Sequence, residues 1–334
     1  MSTQPRPDIL LIVLDTLRAD RLSCYGYSRE TSPHIDASAD SGVLFERAVS
    51  PAQWTILAYA SLFTGEYPTT HVMTQIYDKH SKTQVTLAEV LYREGYHTVS
   101  FCSNVLLGVV ENDLDRGLVE FYNYGGTLPN RLAIGDSRPR RLGRIAHRLS
   151  SVLRSLVTAI QDVFVRSNLF AAHRHASLGD SPLAGPRKLQ GGHGSDAAGY
   201  GGLPAHSPVQ SAERPLFGFI NLMETHLPYV PHRRFIHSFV PYHGHNREAR
   251  DFGQGDNLEY YRWLVPLVEP VTEPQDRVIS DMYDAEVAYE DYLLRHLFDY
   301  LGEPEVRDNT LVIVTSDHGE GLNHHGFIGH SMFA

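Results

Sequence analysis

A chain of 334 residues, 42% of them hydrophobic, can bury a sizeable core as one large α/β domain with room for an excursion. Its formal net charge of −10 argues against a general nucleic-acid binder, which would be basic. The cysteines, Cys24 and Cys102, make neither a disulfide framework nor a zinc-finger spacing, and two buried thiols are expected. Residues 1–8 are polar and the apolar run after them, Ile9 to Leu14, is short. Nothing approaches the roughly 20 apolar residues of a membrane span. With no signal peptide or transmembrane segment visible, a cytoplasmic location is expected.

In chain order, Ile9 to Leu14 reads as a buried parallel strand that ends in Asp15-Thr16. Ser32 and Pro33 open a short helix that Gly42 closes. Val43 to Val49 reads as a second strand. A loop through Trp54 leads to a helix from Thr55 to Phe63, stopped by Thr64-Gly65. Val85 to Arg93 is a helix with Thr86 as cap, Glu89 closing a capping box, and Gly95 as stop. His97 to Phe101 is a strand ending in Cys102-Ser103-Asn104. This alternation predicts a doubly wound, mostly parallel central sheet flanked by helices.

Residues 128–214 read as an insertion. Within it, Arg138 to Arg166 is a basic amphipathic helix. The plainer reading packs it on the domain with its arginines solvated; the other makes it a peripheral membrane or partner contact. Ala171 to Arg214 is rich in Gly, Ser, Pro and His and reads as a flexible loop, His193 included. Pro215 to Met223 is another buried strand, followed by Glu224-Thr-His226. Asp276 to Leu301 is a long helix. Its acids, Asp281, Asp284, Glu286, Glu290 and Asp291, read as a solvated face with one or two ion pairs in preference to a ligand cluster. Thr310 to Thr315 is a buried strand delivering Ser316-Asp317-His318-Gly319-Glu320. The chain then stops soon after His330, and a C-terminal subdomain is expected to be absent.

Strand ends thus offer Asp15-Thr16, Ser103-Asn104, His226, and Asp317-His318 with His324, His325 and His330 to one sheet edge, where α/β folds bind ligands. Each alone is weak, since a strand-end Asp is most often a turn or cap residue. Together, Asp15, Asp317 and His318 read as ligands of a divalent metal. Thr55 opens a helix, where the dipole favours anions. A metal beside its hydroxyl would make a nucleophile suited to a tetrahedral oxyanion ester; the bland reading of Thr55 is an N-cap.

Four blocks carry a resemblance: Leu-Ile-Val-Leu-Asp-Thr-Leu-Arg-Ala-Asp around Asp15, Thr55 to Gly65, Met-Glu-Thr-His-Leu-Pro-Tyr around His226, and Ser-Asp-His-Gly-Glu with the His-His-Gly-Phe-Ile-Gly-His that ends at His330. They resemble the sulfatase branch of the alkaline phosphatase superfamily. That resemblance implies an alkaline-phosphatase-like fold with 1–334 as its N-terminal catalytic part. It also implies Thr55, His226 and His330 as catalytic residues, Asn104, His325 and Thr16 at the substrate, and Asp15, Thr55, Asp317 and His318 at one divalent ion (manganese, zinc, calcium or magnesium).

This sequence departs from the family pattern. Sulfatases carry Cys-x-Pro-Ser-Arg, matured to formylglycine; here Thr55 stands at the Cys position, and Leu57, Ala58 and Tyr59 replace Pro, Ser and Arg. A threonine β-carbon bears a methyl group, so formylglycine is not expected. Thr16 replaces a second metal-binding Asp, and His318 an Asn, which favours manganese or zinc over calcium. The implied activity is hydrolysis of a sulfuric, phosphoric or phosphonic ester, small or linked to glycan or lipid. Phosphodiesterase or phosphoglycerol-transferase chemistry is the alternative within the superfamily. A catalytically silent binding protein is the alternative outside it.

Overall fold

The computed structural model describes residues 6–123 and 214–330, except 76–77, 105, 108–109, 245, 247–248, 250–251, 253–270, 325 and 327. The insertion expected at 128–214 lies outside the described residues apart from Arg214, and so does His325.

Five parallel strands form the sheet: β1 (Asp8–Leu14), β2 (His97–Cys102), β3 (Glu120–Asn123), β4 (Leu216–Leu222) and β5 (Thr310–Thr315). Their order is β3-β2-β4-β1-β5. The helices are α1 (Pro33–Asp40), α2 (Thr55–Thr64), α3 (Pro68–His71), α4 (Leu87–Arg93), α5 (Arg233–Phe239), α6 (Glu273–Leu301) and α7 (Pro304–Arg307). Alternate residues of β1 face opposite ways. Leu10, Ile12 and Leu14 pack with Met282, Tyr283, Val287 and Leu294 of α6. Leu11 and Val13 pack with Ile56, Tyr59 and Phe63 of α2 and with Phe217 and Phe219 of β4. Covering both faces is what makes β1 and β4 near-continuous apolar runs. The doubly wound arrangement expected from the sequence is therefore the one observed.

Three expectations are corrected. Val43 to Val49 is no strand: Val43, Phe45 and Val49 are exposed, and no described strand pairs with them. Its apolar residues gave strand-like propensity without a partner to realise it. β5 is not buried on both faces; it is an edge strand whose Leu311 and Ile313 are 51% and 41% exposed. β3 was not anticipated, being only four residues long.

The acids of α6 are a further correction, because Asp284, Glu286, Glu290 and Asp291 are buried rather than solvated. Each faces a donor. Asp284 accepts from Arg21 (2.9 Å), Arg29 (2.6 Å) and the Tyr27 hydroxyl (2.6 Å). Asp291 accepts the backbone N–H groups of His34 and Ile35 at the start of α1, a helix-capping role played from another helix. Burial nevertheless pushes the Asp291 carboxyl up to about 6.

Removing Asp284 would leave Arg21, at 10% side-chain exposure, without its carboxylate partner, while Arg29 would keep only Asp281. We predict that Asp284→Ala lowers stability by about 3–5 kcal/mol. Asp299→Ala, on the same helix but 78% exposed, should cost no more than about 0.5 kcal/mol. Urea denaturation of the two variants decides this; equal effects would mean the buried cluster is not what anchors α6.

Candidate active site

Parallel register assembles the site. Val13 of β1 pairs with Thr315 of β5, so the residues two places on, Asp15 and Asp317, leave the sheet edge side by side. Asn221 at the end of β4 pairs with Val13 on one side and with Cys102 of β2 on the other. Asp15, Asp317 and His318 bring one donor atom each within 4.8 Å of one another, the one such group of His, Cys, Asp and Glu among the described residues. All three are buried.

Each of these side chains is tied down through one atom and leaves another bare. Asp15 Oδ2 accepts from Asn104 Nδ2 (2.8 Å) and Asn221 Nδ2 (3.3 Å). Asp317 Oδ1 accepts from the N–H groups of Thr16 (3.1 Å) and His318 (2.8 Å). His318 donates its Nδ1–H to the Gly319 carbonyl at 2.9 Å, which leaves the lone pair on Nε2. Asp15 Oδ1, Asp317 Oδ2, His318 Nε2 and the Thr16 hydroxyl are then all buried without a hydrogen-bond partner. His318 Nε2 lies 3.3 Å from Asp317 Oδ2, but not in hydrogen-bonding geometry.

Buried polar atoms are paired in more than about 90% of cases. Three residues, Asp15, Asp317 and His318, that each keep a bare buried atom and converge on one spot are the signature of a missing partner, and two carboxylate oxygens with an imidazole nitrogen fit a divalent cation. The electrostatics agree. Burial and the neighbouring Asp15 hold the Asp317 carboxyl well above its ordinary value. Burial and His330 push His318 down to about 4, so its imidazole stays neutral and able to ligate. Thr16 sits at φ +63°, a strained conformation for a β-branched residue. It is held there by its own N–H on Asp317 and by the Tyr283 hydroxyl, which donates to its carbonyl at 2.8 Å.

Thr55 is the first residue of α2 and 2% exposed. The N-cap position belongs to Trp54, so the bland reading of Thr55 as a cap is replaced. The loop before it is pinned to the site by Ser50, whose hydroxyl donates to the Asp317 carbonyl at 2.5 Å.

A histidine group borders the cluster of Asp15, Asp317 and His318. His330, delivered by the short hairpin of β6 (Gly321–Leu322) and β7 (Ile328–Gly329), stands 4.5 Å from the His318 ring and 4.8 Å from that of His226. His226 donates Nδ1–H to the Leu227 carbonyl at 2.6 Å. His330 donates Nδ1–H to Glu320 Oε1 at 2.9 Å. Burial works against a charged His330, but Glu320 outweighs it and holds the imidazole above its ordinary value. Burial works against the Glu320 carboxylate in turn, and the surrounding histidines, His330 first, keep it below its own.

Sequence reading thus anticipated the cluster of Asp15, Asp317 and His318 and the approach of His226 and His330. It expected Asn104 at the substrate, and the Asn104 amide donates to Asp15. It missed Asn221, although an amide in the apolar run of β4 was a visible signal. It also gave no role to Glu320, which follows the Asp-His pair directly.

The His318 environment gives a pH signature. Its folded imidazole protonates near pH 4, an exposed one near about 6.5, so the unfolded chain binds more protons between those values. Stability from this group is present above that window and lost as pH falls through it. We predict that chelator-treated protein loses stability between about pH 6.5 and 4, and that His318→Asn removes this component. Comparing the two denaturation series isolates His318 from Asp317, whose raised carboxyl acts in the opposite direction. Identical slopes would contradict the assignment.

The sequence model of the family described as Sulfatase matches residues 7–130 and 187–332. Iduronate 2-sulfatase of Mus musculus is 25% identical over 338 aligned residues, 96% of this chain and 55% of that protein. This chain therefore spans about half the length of that relative. The crystal structure of a phosphonate monoester hydrolase of Agrobacterium radiobacter superposes with a TM-score of 0.62 at 20% identity, covering 97% of this chain and 65% of that one. The C-terminal periplasmic domain of EcEptC from Escherichia coli, in complex with Zn, gives 0.51 at 16% identity, covering 98% and 69%. No helix among the described residues is long and apolar enough to cross a membrane. By the extent of the family match, the chain belongs to the sulfatase family.

Proposed function

We propose that the chain carries the catalytic site of a metal-dependent hydrolase of sulfuric, phosphoric or phosphonic esters, with Thr55 as nucleophile. The observation that carries this reading is the set of bare buried atoms on Asp15, Asp317 and His318 at the sheet edge. These three residues would hold the cation, with Thr55 next to it. When bound, a divalent cation supplies positive charge that eases ionisation of a hydroxyl and neutralises an oxyanion ester.

The protein's own groups divide the remaining work. The Thr55 oxygen attacks sulfur or phosphorus, forming a covalent ester as the bond to the leaving oxygen breaks. The N–H groups of the first turn of α2 face the oxyanion. His226 and His330 are each committed through Nδ1. Their Nε2 edges are therefore the ones left for substrate: His226, when its Nε2 also carries a proton, gives that proton to the leaving oxygen and is left neutral with Nδ1–H still on Leu227, and His330 contacts the transferred group. Water, or an acceptor alcohol, then takes the group from Thr55. A threonine cannot become formylglycine, so the covalent ester forms directly on the encoded side chain.

The choice of ester leans two ways. The family match and the iduronate sulfatase relative favour a sulfate ester. Threonine at the nucleophile position, a mixed carboxylate–imidazole donor set, and the likeness to a phosphonate monoester hydrolase favour a phosphoester or phosphonate, with hydrolysis or transfer as the outcome. The same donor set favours manganese or zinc over calcium. A silent binding protein is disfavoured by the bare donor set, which binding alone does not require.

Activity should be measured on aryl sulfate, phosphate monoester, diester and phosphonate substrates in the presence of manganese or zinc. We predict turnover of at least one ester, abolished by chelation and lowered on the order of 10³-fold or more in kcat by Thr55→Ala. Turnover that survives Thr55→Ala would remove Thr55 as nucleophile. Glu320→Gln keeps an acceptor for His330 but loses the charge. It should lower kcat roughly 10- to 100-fold while cation affinity, measured calorimetrically, stays put; parallel losses in both would move Glu320 from the histidine group to the metal site.

A further inference from the structure

Tyr59 stands where the family pattern has Arg, and on sequence alone it reads as a loss. In the fold it is fully buried, with its ring against Phe63 and Phe219 at 5.7 and 6.0 Å. It follows Thr55 by one helical turn on the same face of α2, and side chains on a helix lean toward its N-terminus, here toward Thr55. Its hydroxyl accepts from Asn221 Nδ2 at 2.6 Å.

The orientation of that amide is fixed from the other side. Asn221 Oδ1 accepts the backbone N–H groups of Ser103 (3.2 Å) and Asn104 (3.0 Å). The NH₂ end must therefore face Tyr59 and Asp15, with one proton for each. A flipped amide would set its oxygen against the Asp15 carboxylate.

We propose that Tyr59 is a positioning residue for the cation ligand Asp15. By taking one amide proton of Asn221 it commits the other to Asp15 Oδ2, leaves Oδ1 as the ligating atom, and ties the helix that begins with Thr55 to the carboxylate. This rests on the reading of Asp15, Asp317 and His318 as a cation site. Outer partners that orient a ligand change metal affinity by about 10- to 100-fold when removed. Asn104 keeps a second hold on Oδ2, so the lower end of that range is expected.

The test is cation affinity, not turnover. Mn²⁺ and Zn²⁺ are titrated calorimetrically into chelator-stripped wild type, Tyr59→Phe, Asn221→Ala and the double variant, with circular dichroism to confirm folding. Tyr59→Phe keeps the ring packing and removes only the hydroxyl. It should weaken binding by about 10-fold, Asn221→Ala by at least as much, and the double variant by no more than Asn221→Ala. Affinity within twofold of wild type in folded Tyr59→Phe overturns the proposal, even if the melting temperature falls. So does an additive double variant. If Tyr59→Phe fails to fold, undiminished affinity in Asn221→Ala overturns it alone. Wild type that binds neither ion is a different failure, that of the cation-site reading itself.

Discussion

Two carboxylates, Asp15 and Asp317, meet where there is almost no water, and much of this fold exists to keep them there. Like charges in a dry site repel, and the raised Asp317 carboxyl records the cost. Neither is paired with an arginine or lysine among the described contacts. Each is instead held by N–H donors on the oxygen that faces the protein: two side-chain amides for Asp15 and two backbone amides for Asp317. Dipoles restrain the acids without cancelling their charge, which is what the proposed cation site requires. A salt bridge in the same place would have been more stable and of no use.

The geometry comes from parallel register. In a parallel sheet, residues at equal distances beyond paired positions leave the edge together, so Asp15 and Asp317 become neighbours though some 300 positions apart in sequence. Asn104 reaches Asp15 by the same rule from β2, and Asn221 reaches it from the paired position on β4, level with Val13. The left-handed turn at Thr16 follows from it as well: the chain must bend sharply after Asp15 if the Thr16 N–H is to reach back to Asp317.

The strands, their caps and the carboxylates at their ends were legible because hydrophobic runs, glycine stops and a capping box are local signals. Thr86 with Glu89 formed the expected box, and Gly65 took its left-handed position. What sequence could not supply was partnership. Val43 to Val49 and β5 were both read as strands, yet among the described residues the first has no strand beside it and the second only one. Tyr59, read as a substitution, and Asn221, read as part of an apolar run, became intelligible only through each other, because a hydrogen bond across 162 positions leaves no trace in either neighbourhood.

The long helix α6 makes the same point from the other face of the sheet. Its acids follow helical spacing and look like a solvated stripe, but the stripe is turned inward and used as a row of acceptors. Tyr283 receives the Arg18 N–H and donates to the Thr16 carbonyl, fixing the turn after β1. Glu286 accepts the Val230 N–H, and Glu290 lies 3.5 Å from the Thr225 hydroxyl, which itself donates to the Asp15 carbonyl, so the loop after β4 that carries His226 is fixed by the same helix. Burial and Glu224 hold the Glu290 carboxyl well above its ordinary value. One helix therefore sets the turn that places Asp15 and the loop that places His226. A substitution on its inward face should reach the active site without touching it.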